Sequence, residues 1–330
     1  MRKILPEKLE ALLKSFSTRR IIVLGDIMLD EYLWGKVQRI SPEAPVPIIE
    51  IASTDHRLGG AANAALNLKM LGAEVELAGI LGKDAQARTV LNLLKKKKID
   101  TSGIFIDPQR PTTLKTRIGA SSQQIVRMDR EDLAELSEEL QKGIILWLKH
   151  AIPRCDAILI EDYDKGLLNE KLICELLSLA AKYHKPVAVD PKFKNFGCYA
   201  GVEIFKPNYR ELEAYLNICF SSEDEFADAA KALRRKMKIE HLVVTKGSDG
   251  MFIFSKGHET KHLPSFARDV FDVSGAGDTV ISALTLAYLY GKDIESAALV
   301  ANHAAAVAVA KKGTASVCSK EIWESFHDLT

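Results

Sequence analysis

The densest chemical signal in the chain is Asp272-Val273-Ser274-Gly275-Ala276-Gly277-Asp278-Thr279, followed by VISALTLAYLY. Gly-Ala-Gly ahead of a helix rich in small residues lets the backbone approach an anion closely. The first free N–H groups of that helix then point at the anion, with the positive end of the helix dipole behind them. An aspartate at that place can accept a proton from an attacking hydroxyl. Phosphoryl transfer asks for little more than positioning, neutralised equatorial oxygens and a base. Gly275, Ala276, Gly277 and Asp278 are therefore candidate catalytic residues. The competing reading is a glycine-rich turn in which Asp278 is an ordinary helix cap.

Three further segments have suitable residue types. Gly59-Gly60-Ala61-Ala62-Asn63-Ala64-Ala65 also opens a helix, where two glycines bare the backbone to a ligand and Asn63 can donate to and accept from hydroxyls. Tight packing of small residues explains the same pattern. In Lys206-Pro207-Asn208-Tyr209-Arg210-Glu211 the three-residue spacing sets Asn208 and Glu211 on one helical face. An amide and a carboxylate there can hold magnesium that keeps most of its waters, although the same pair is also a capping-box signature. Thr245-Lys246-Gly247-Ser248-Asp249-Gly250 is a strand end entering a glycine turn, either the edge of a nucleotide site or a hairpin connection.

Other chemistries find no support. There is no G-x-x-x-x-G-K-[ST], and Gly25-Asp26-Ile27 after the first strand lacks the dinucleotide fingerprint. There is no G-x-S-x-G elbow.

The elements that must position these residues read as an alternation. Buried strands are expected at Arg20–Gly25, Val75–Ile80, Ala157–Ile160, Val187–Val189 and Leu242–Thr245. Helices are expected at about Ala61–Leu71, Ala85–Lys97, Ser137–His150, Asn169–Tyr183 and Glu223–Met237. This predicts an α/β fold, a mostly parallel sheet covered by helices, with ligands at the carboxyl ends of the strands. Two regions break the rhythm: Glu31–Val37 with Val46–Ile51, and Thr112–Ile118 with Gln124–Asp129. They read as strand pairs not followed at once by a helix, a small β lid formed from about 31–51 and 112–129. One domain spanning 1–330 with this lid is expected.

The net charge of +1 over 330 residues gives no field toward nucleic acid or anionic lipid. Five scattered cysteines without a C-x-x-C pair suggest reduced thiols rather than a disulfide framework or zinc site. The N-terminus reads as a charged amphipathic helix rather than a signal peptide, and no stretch approaches the roughly 20 apolar residues of a membrane span. A cytoplasmic protein with no membrane or nucleic-acid partner is expected.

Taken together and in this order, the four segments resemble the ribokinase-like (PfkB) carbohydrate kinases over about residues 20–315. GGAANAA looks like the N-terminal signature of that family, DVSGAGDT like the C-terminal one, and Asn208/Glu211 like its N-x-x-E magnesium motif. The resemblance implies a ribokinase-like three-layer fold and an ATP- and Mg2+-dependent phosphotransferase. Asp278 would be the base and Gly275–Gly277 the anion hole. Asn208 and Glu211 would organise magnesium through water, with Lys206, Thr245, Gly247, Gly250 and Asn302 on the nucleotide side. Asp30, Gly59, Gly60 and Asn63 would hold the sugar. The lid would double as a homodimer interface.

Within the family, GDIMLDEYLWGKVQRISPEAPVPI at 25–48, QQIVRMDRE at 123–131, EDYDKG at 161–166 and DPK at 190–192 look like the bacterial D-glycero-β-D-manno-heptose-7-phosphate kinases of lipopolysaccharide precursor synthesis. Because the sequence shows no H-x-G-H motif of an adenylyltransferase, the expected form is the single-domain one. EDYDKG and DPKFKNF stand where SDYGKG and DPKGxDF belong to that pattern. A phosphorylated sugar needs a second anion site, for which Arg117, Arg127, Lys165 and Lys192 are candidates, with Asp162 beside them on the substrate side. Fructose 1-phosphate, tagatose 6-phosphate, or a non-catalytic sugar-binding role are the alternatives.

Overall fold

The computed structural model describes residues 4–120, 123–311 and 313–327. Thirteen strands are found among them: β1 Arg20–Gly25, β2 Ile27–Ile40, β3 Pro47–Gly60, β4 Glu74–Gly82, β5 Asp100–Asp107, β6 Thr113–Ala120, β7 Gln123–Arg130, β8 Ala157–Glu161, β9 Val187–Asp190, β10 Ile204–Phe205, β11 His241–Thr245, β12 Met251–Ser255 and β13 Lys261–Leu263. Nine of them form one sheet in the order β13-β12-β11-β10-β9-β8-β1-β4-β5. All neighbours are parallel except β11–β12 and β12–β13.

The period-2 alternation of β1 shows why this sheet is buried on both faces. Ile21 and Val23 join one apolar cluster, with the helices Ala61–Leu71, Ala276–Tyr288 and Ile294–Val309. Ile22 and Leu24 join the other, with Glu138–Ala151, Glu170–Lys182 and Glu223–Lys236. Side chains that alternate across a strand can fill two cores only if both faces are covered. The expected helix starts at Ser137 and Asn169 fall on capping residues, whose side chains accept from Leu140 N and Leu172 N.

The second sheet has the order β3-β2-β6-β7. It is larger than the sequence reading of 31–51 and 112–129. In addition, β3 runs straight into the helix at Ala61, contrary to the expectation that no helix follows at once. Much of β2, β3 and β7 is exposed, so polar residues extend these strands without an apolar run to mark their ends. The short strands β10 and β13, and the strands β5 and β12, are absent from the sequence reading for the opposite reason: pairing within the sheet, rather than local pattern, defines them.

A single residue joins the two sheets on the β1–β2 side. Asp26 N donates to Glu161 O (3.1 Å), Asp26 O accepts from Ala61 N (3.0 Å), and its carboxylate accepts from Tyr163 N (2.9 Å) and Lys165 N (3.1 Å). Gly60 turns at φ +55°, and a Cβ there would sit 2.4 Å from Asp26 O, so the position requires glycine. Burial, helped by the charge of Asp162, pushes the Asp26 carboxyl up to about 6 from 3.8. Between those values the folded chain keeps a proton that the unfolded chain releases. The stabilisation is therefore complete below pH 3.8 and is lost as pH rises through 6. Relative to Asp26→Asn, which does not titrate, the wild type is expected to lose about 2 kcal/mol between pH 4 and 7. Urea denaturation of both proteins at the two pH values tests this; identical pH slopes would refute it.

Candidate active site

The helix Ala276–Tyr288 begins after Gly275, which adopts a left-handed φ of +77°. Asp278 is thus the third residue of the helix, not its cap, and the capping reading of the motif is set aside. Its side chain is buried and held from two directions. Asn63 Nδ2 donates to Oδ2 at 2.6 Å and Tyr163 Oη donates to Oδ1 at 2.6 Å. Asn63 is itself third in the helix Ala61–Leu71, and Asn67 Nδ2 steadies it by donating to Asn63 O (3.0 Å). The two glycine-marked helix starts therefore converge. A Cβ on Gly275 would lie 2.8 Å from Asn63 Nδ2, so this approach needs glycine. The amide of Ala276 donates to Val273 O (3.2 Å).

Glu161 and Asp190 end two paired parallel strands and stand opposite each other in register. One oxygen from each of Glu161, Asp190 and Asp278 lies within 4.8 Å of the others. Lys206, buried, pairs with Asp190 at 2.8 Å. A Cβ on Gly277 would make ordinary contact with both partners of that pair, at 3.5 and 3.7 Å. Burial pushes the Asp278 carboxyl up to about 6, opposed by its two hydrogen-bond donors. Burial, then the charges of Asp278 and Asp190, push Glu161 well above the carboxylate range. A carboxylate of raised basicity next to a glycine-lined helix start can take a proton from a hydroxyl near neutral pH.

The remaining candidates distribute unevenly. Lys192 pairs with Glu211 Oε1, while Glu211 Oε2 accepts from Asn208 N (2.8 Å) and Asn208 Oδ1 accepts from Glu211 N (2.9 Å). The N-x-x-E pair is thus a complete capping box that borders the cluster through Lys192. A lone β-bridge brings Asn208 against Thr245. Gly247 and Gly250 shape the β11–β12 hairpin, and Asn302 Nδ2 ties down Pro264 O at 2.7 Å; none of their contacts reaches Asp278. At the root of the second sheet Asp30 Oδ1 accepts from Arg117 (2.6 Å), and a Cβ on Gly59 would strike Asp30 Oδ2. Lys165 pairs with Glu131 (2.9 Å), and exposed Arg127 with Asp129 (3.0 Å). Asp162, expected on the substrate side, has its partners elsewhere. Its carboxylate accepts from Tyr199 Oη (2.6 Å) and Asn195 Nδ2 (3.0 Å) on the opposite face of the sheet, because adjacent strand-end residues point to opposite sides.

Sequence reasoning gave no role to Tyr163, Glu161 or Asp190. The available signal was positional: Glu161 and Asp190 are the last residues of adjacent parallel strands, where open α/β sheets collect ligands. Among the described residues, no helix is long and apolar enough to cross a membrane.

The model of the pfkB family carbohydrate kinases matches residues 18–322. The chain is 40% identical over 316 residues to "Bifunctional protein HldE" of Pelobacter propionicus, covering 96% of this chain and 65% of that protein. It is 42% identical over 304 residues to the protein of the same name from Helicobacter pylori, covering 92% and 65%. The chain thus spans about 65% of the length of these relatives. Among solved structures, phosphofructokinase-2 of Escherichia coli in complex with substrates and products aligns with a TM-score of 0.79 at 19% identity, covering 94% of this chain and 99% of that one. Arabidopsis thaliana ribokinase complexed with ribose and ATP aligns with 0.75 at 19%, covering 93% and 98%. The architecture is ribokinase-like, and with its signature segments meeting at Asp278 the chain belongs to the pfkB family of carbohydrate kinases, a family of phosphotransferases.

Proposed function

We propose that this chain is the ATP- and magnesium-dependent kinase that phosphorylates D-glycero-D-manno-heptose 7-phosphate at O1, forming heptose 1,7-bisphosphate and ADP for lipopolysaccharide precursor synthesis. The observation that carries the phosphotransfer reading is the buried Asp278 carboxylate, held by Asn63 and Tyr163 at a glycine-opened helix start. The sugar assignment is supported by the resemblance of residues 25–48 to heptose-phosphate kinases and by the relatives named HldE.

In this reading Asp278 accepts the O1 proton as that oxygen attacks the γ-phosphorus, and the bond from phosphorus to the ADP oxygen breaks. The Gly275–Gly277 backbone meets the negative charge of the transferring group. Asn63 keeps the Asp278 carboxylate oriented, and Asp30, Gly59 and Gly60 shape the sugar side. Arg117, Arg127, Lys165 and Lys192 are the cationic groups from which the 7-phosphate partner is drawn. The residues fit a divalent cation: buried Glu161 has two oxygens without a hydrogen-bond donor beside two more carboxylates. Magnesium, when bound, supplies charge neutralisation at the phosphates. ³¹P NMR of a mixture with heptose 7-phosphate and ATP is expected to show a new anomeric phosphate signal alongside ADP. ADP without that signal would refute the substrate.

The second sheet is proposed as a lid that excludes water and pairs with a second copy. Val37, Ile40, Val46, Ile51, Val126 and Met128 are exposed on it or its connecting turn. Sedimentation of the chain at micromolar concentration is expected to give a dimer that Ile40→Lys weakens; a monomer at all concentrations would remove the interface.

A further inference from the structure

The carboxylate cluster contains one residue without any polar partner. Glu161 is wholly buried, and neither of its side-chain oxygens has a hydrogen-bond partner. A buried ionised group without partners is among the costliest arrangements in a protein and needs a compensating charge. Glu161 also stands where the sequence pattern that this chain resembles has serine, so the acid is a feature of this chain rather than of that pattern.

The nearby charges show what is missing. With all three carboxyls ionised, Glu161, Asp190 and Asp278 would bring three negative charges, and Lys206 contributes one positive charge through Asp190. Lys192 and Glu211 cancel each other as a pair. Two negative charges remain, the amount that one divalent cation offsets. The three oxygens lie within 4.8 Å of one another, near enough for one ion to lie among them. By contrast, Asn208 Oδ1 and both carboxylate oxygens of Glu211 already have partners, in each other's backbone amides and in Lys192.

We propose that Glu161 and Asp190 ligate a divalent cation directly, seated at the ends of β8 and β9 and facing Asp278, independently of nucleotide. The inference rests on the phosphotransfer reading only for the purpose of the ion, which would sit between the base and the arriving phosphates. Glu161 then sets the position of the cation, while Asn208 and Glu211 organise its waters or the nucleotide.

The test is Mn2+ binding without nucleotide, followed by the electron paramagnetic resonance signal of the free ion. The wild type is expected to bind one Mn2+ per chain, displaced by Mg2+. Glu161→Gln and Glu161→Ser are each expected to weaken binding at least about tenfold, as loss of an anionic ligand does, with circular dichroism confirming that both fold. Absence of bound Mn2+ in the wild type at millimolar concentration would overturn the proposal, as would wild-type affinity in either folded variant. Mn2+ binding that depends on Glu161, together with no phosphorylation of heptose 7-phosphate, would leave this site standing and remove the substrate. Product formation without such binding would do the reverse.

Discussion

Asp278→Asn is expected to leave ATP and sugar-phosphate affinity nearly unchanged while lowering kcat by about 10²–10⁴, the usual worth of a general base. The substitution preserves shape and both neighbours. The amide oxygen can still accept from Asn63 Nδ2, and the new amide group can donate to Tyr163 Oη, which is able to accept as well as donate. The buried charge disappears at the cost of one acceptor for the Tyr163 hydroxyl proton, so circular dichroism beside the kinetics separates loss of folding from loss of the base. What disappears is the lone pair that receives the hydroxyl proton. Steady-state kinetics beside calorimetric binding separates the two quantities. Near-wild-type turnover would remove Asp278 from the role of base and with it the mechanism.

Lys206→Met is expected to destabilise the fold by about 3–5 kcal/mol, the cost of removing one partner from a buried ion pair. Lys206 is 2% exposed and lies 2.8 Å from Asp190. Burial lowers its tendency to hold a proton, but Asp190, then Glu211 and Glu161, raise it further, so the ammonium stays charged. Methionine keeps the length and apolar stem but leaves Asp190 beside Glu161 and Asp278 with no buried cation. Chemical denaturation in chelator-treated buffer measures the loss. Adding Asp190→Asn should recover part of it, because the double variant no longer strands a charge. A loss below about 1 kcal/mol would show that the pair contributes little to holding the strand ends together.

The contrast between these residues shows what could be read at each level. The motif around Asp278 was legible because glycine spacing at a helix start has few explanations and three companion segments occurred in the same order. The central strands were legible because a strand buried on both faces is written as an apolar run, as in RIIVLG. The helix starts expected at Ser137 and Asn169 fall on capping residues, while strand ends such as Glu74, Gly82, Glu161 and Asp190 lie one or two residues beyond the apolar run.

Tertiary structure decided everything that depends on which elements become neighbours. Asn63 and Asp278 are 215 residues apart in the chain, and only packing of two helices on one face of the sheet places them 2.6 Å apart. Glu161, Tyr163 and Asp190 look like ordinary strand-end residues until β8 and β9 pair in register and the Ala276–Tyr288 helix lies over them. The Asp162 carboxylate, one residue on from Glu161, turns instead to Tyr199 and Asn195, since a one-residue step along a strand turns a side chain to the other face of the sheet. Local sequence determined which residues could do the chemistry, because residue type and helix-start geometry are local properties. Long-range pairing determined which of them do it together, because a pKa, an ion pair or a shared cation is a property of neighbours in space.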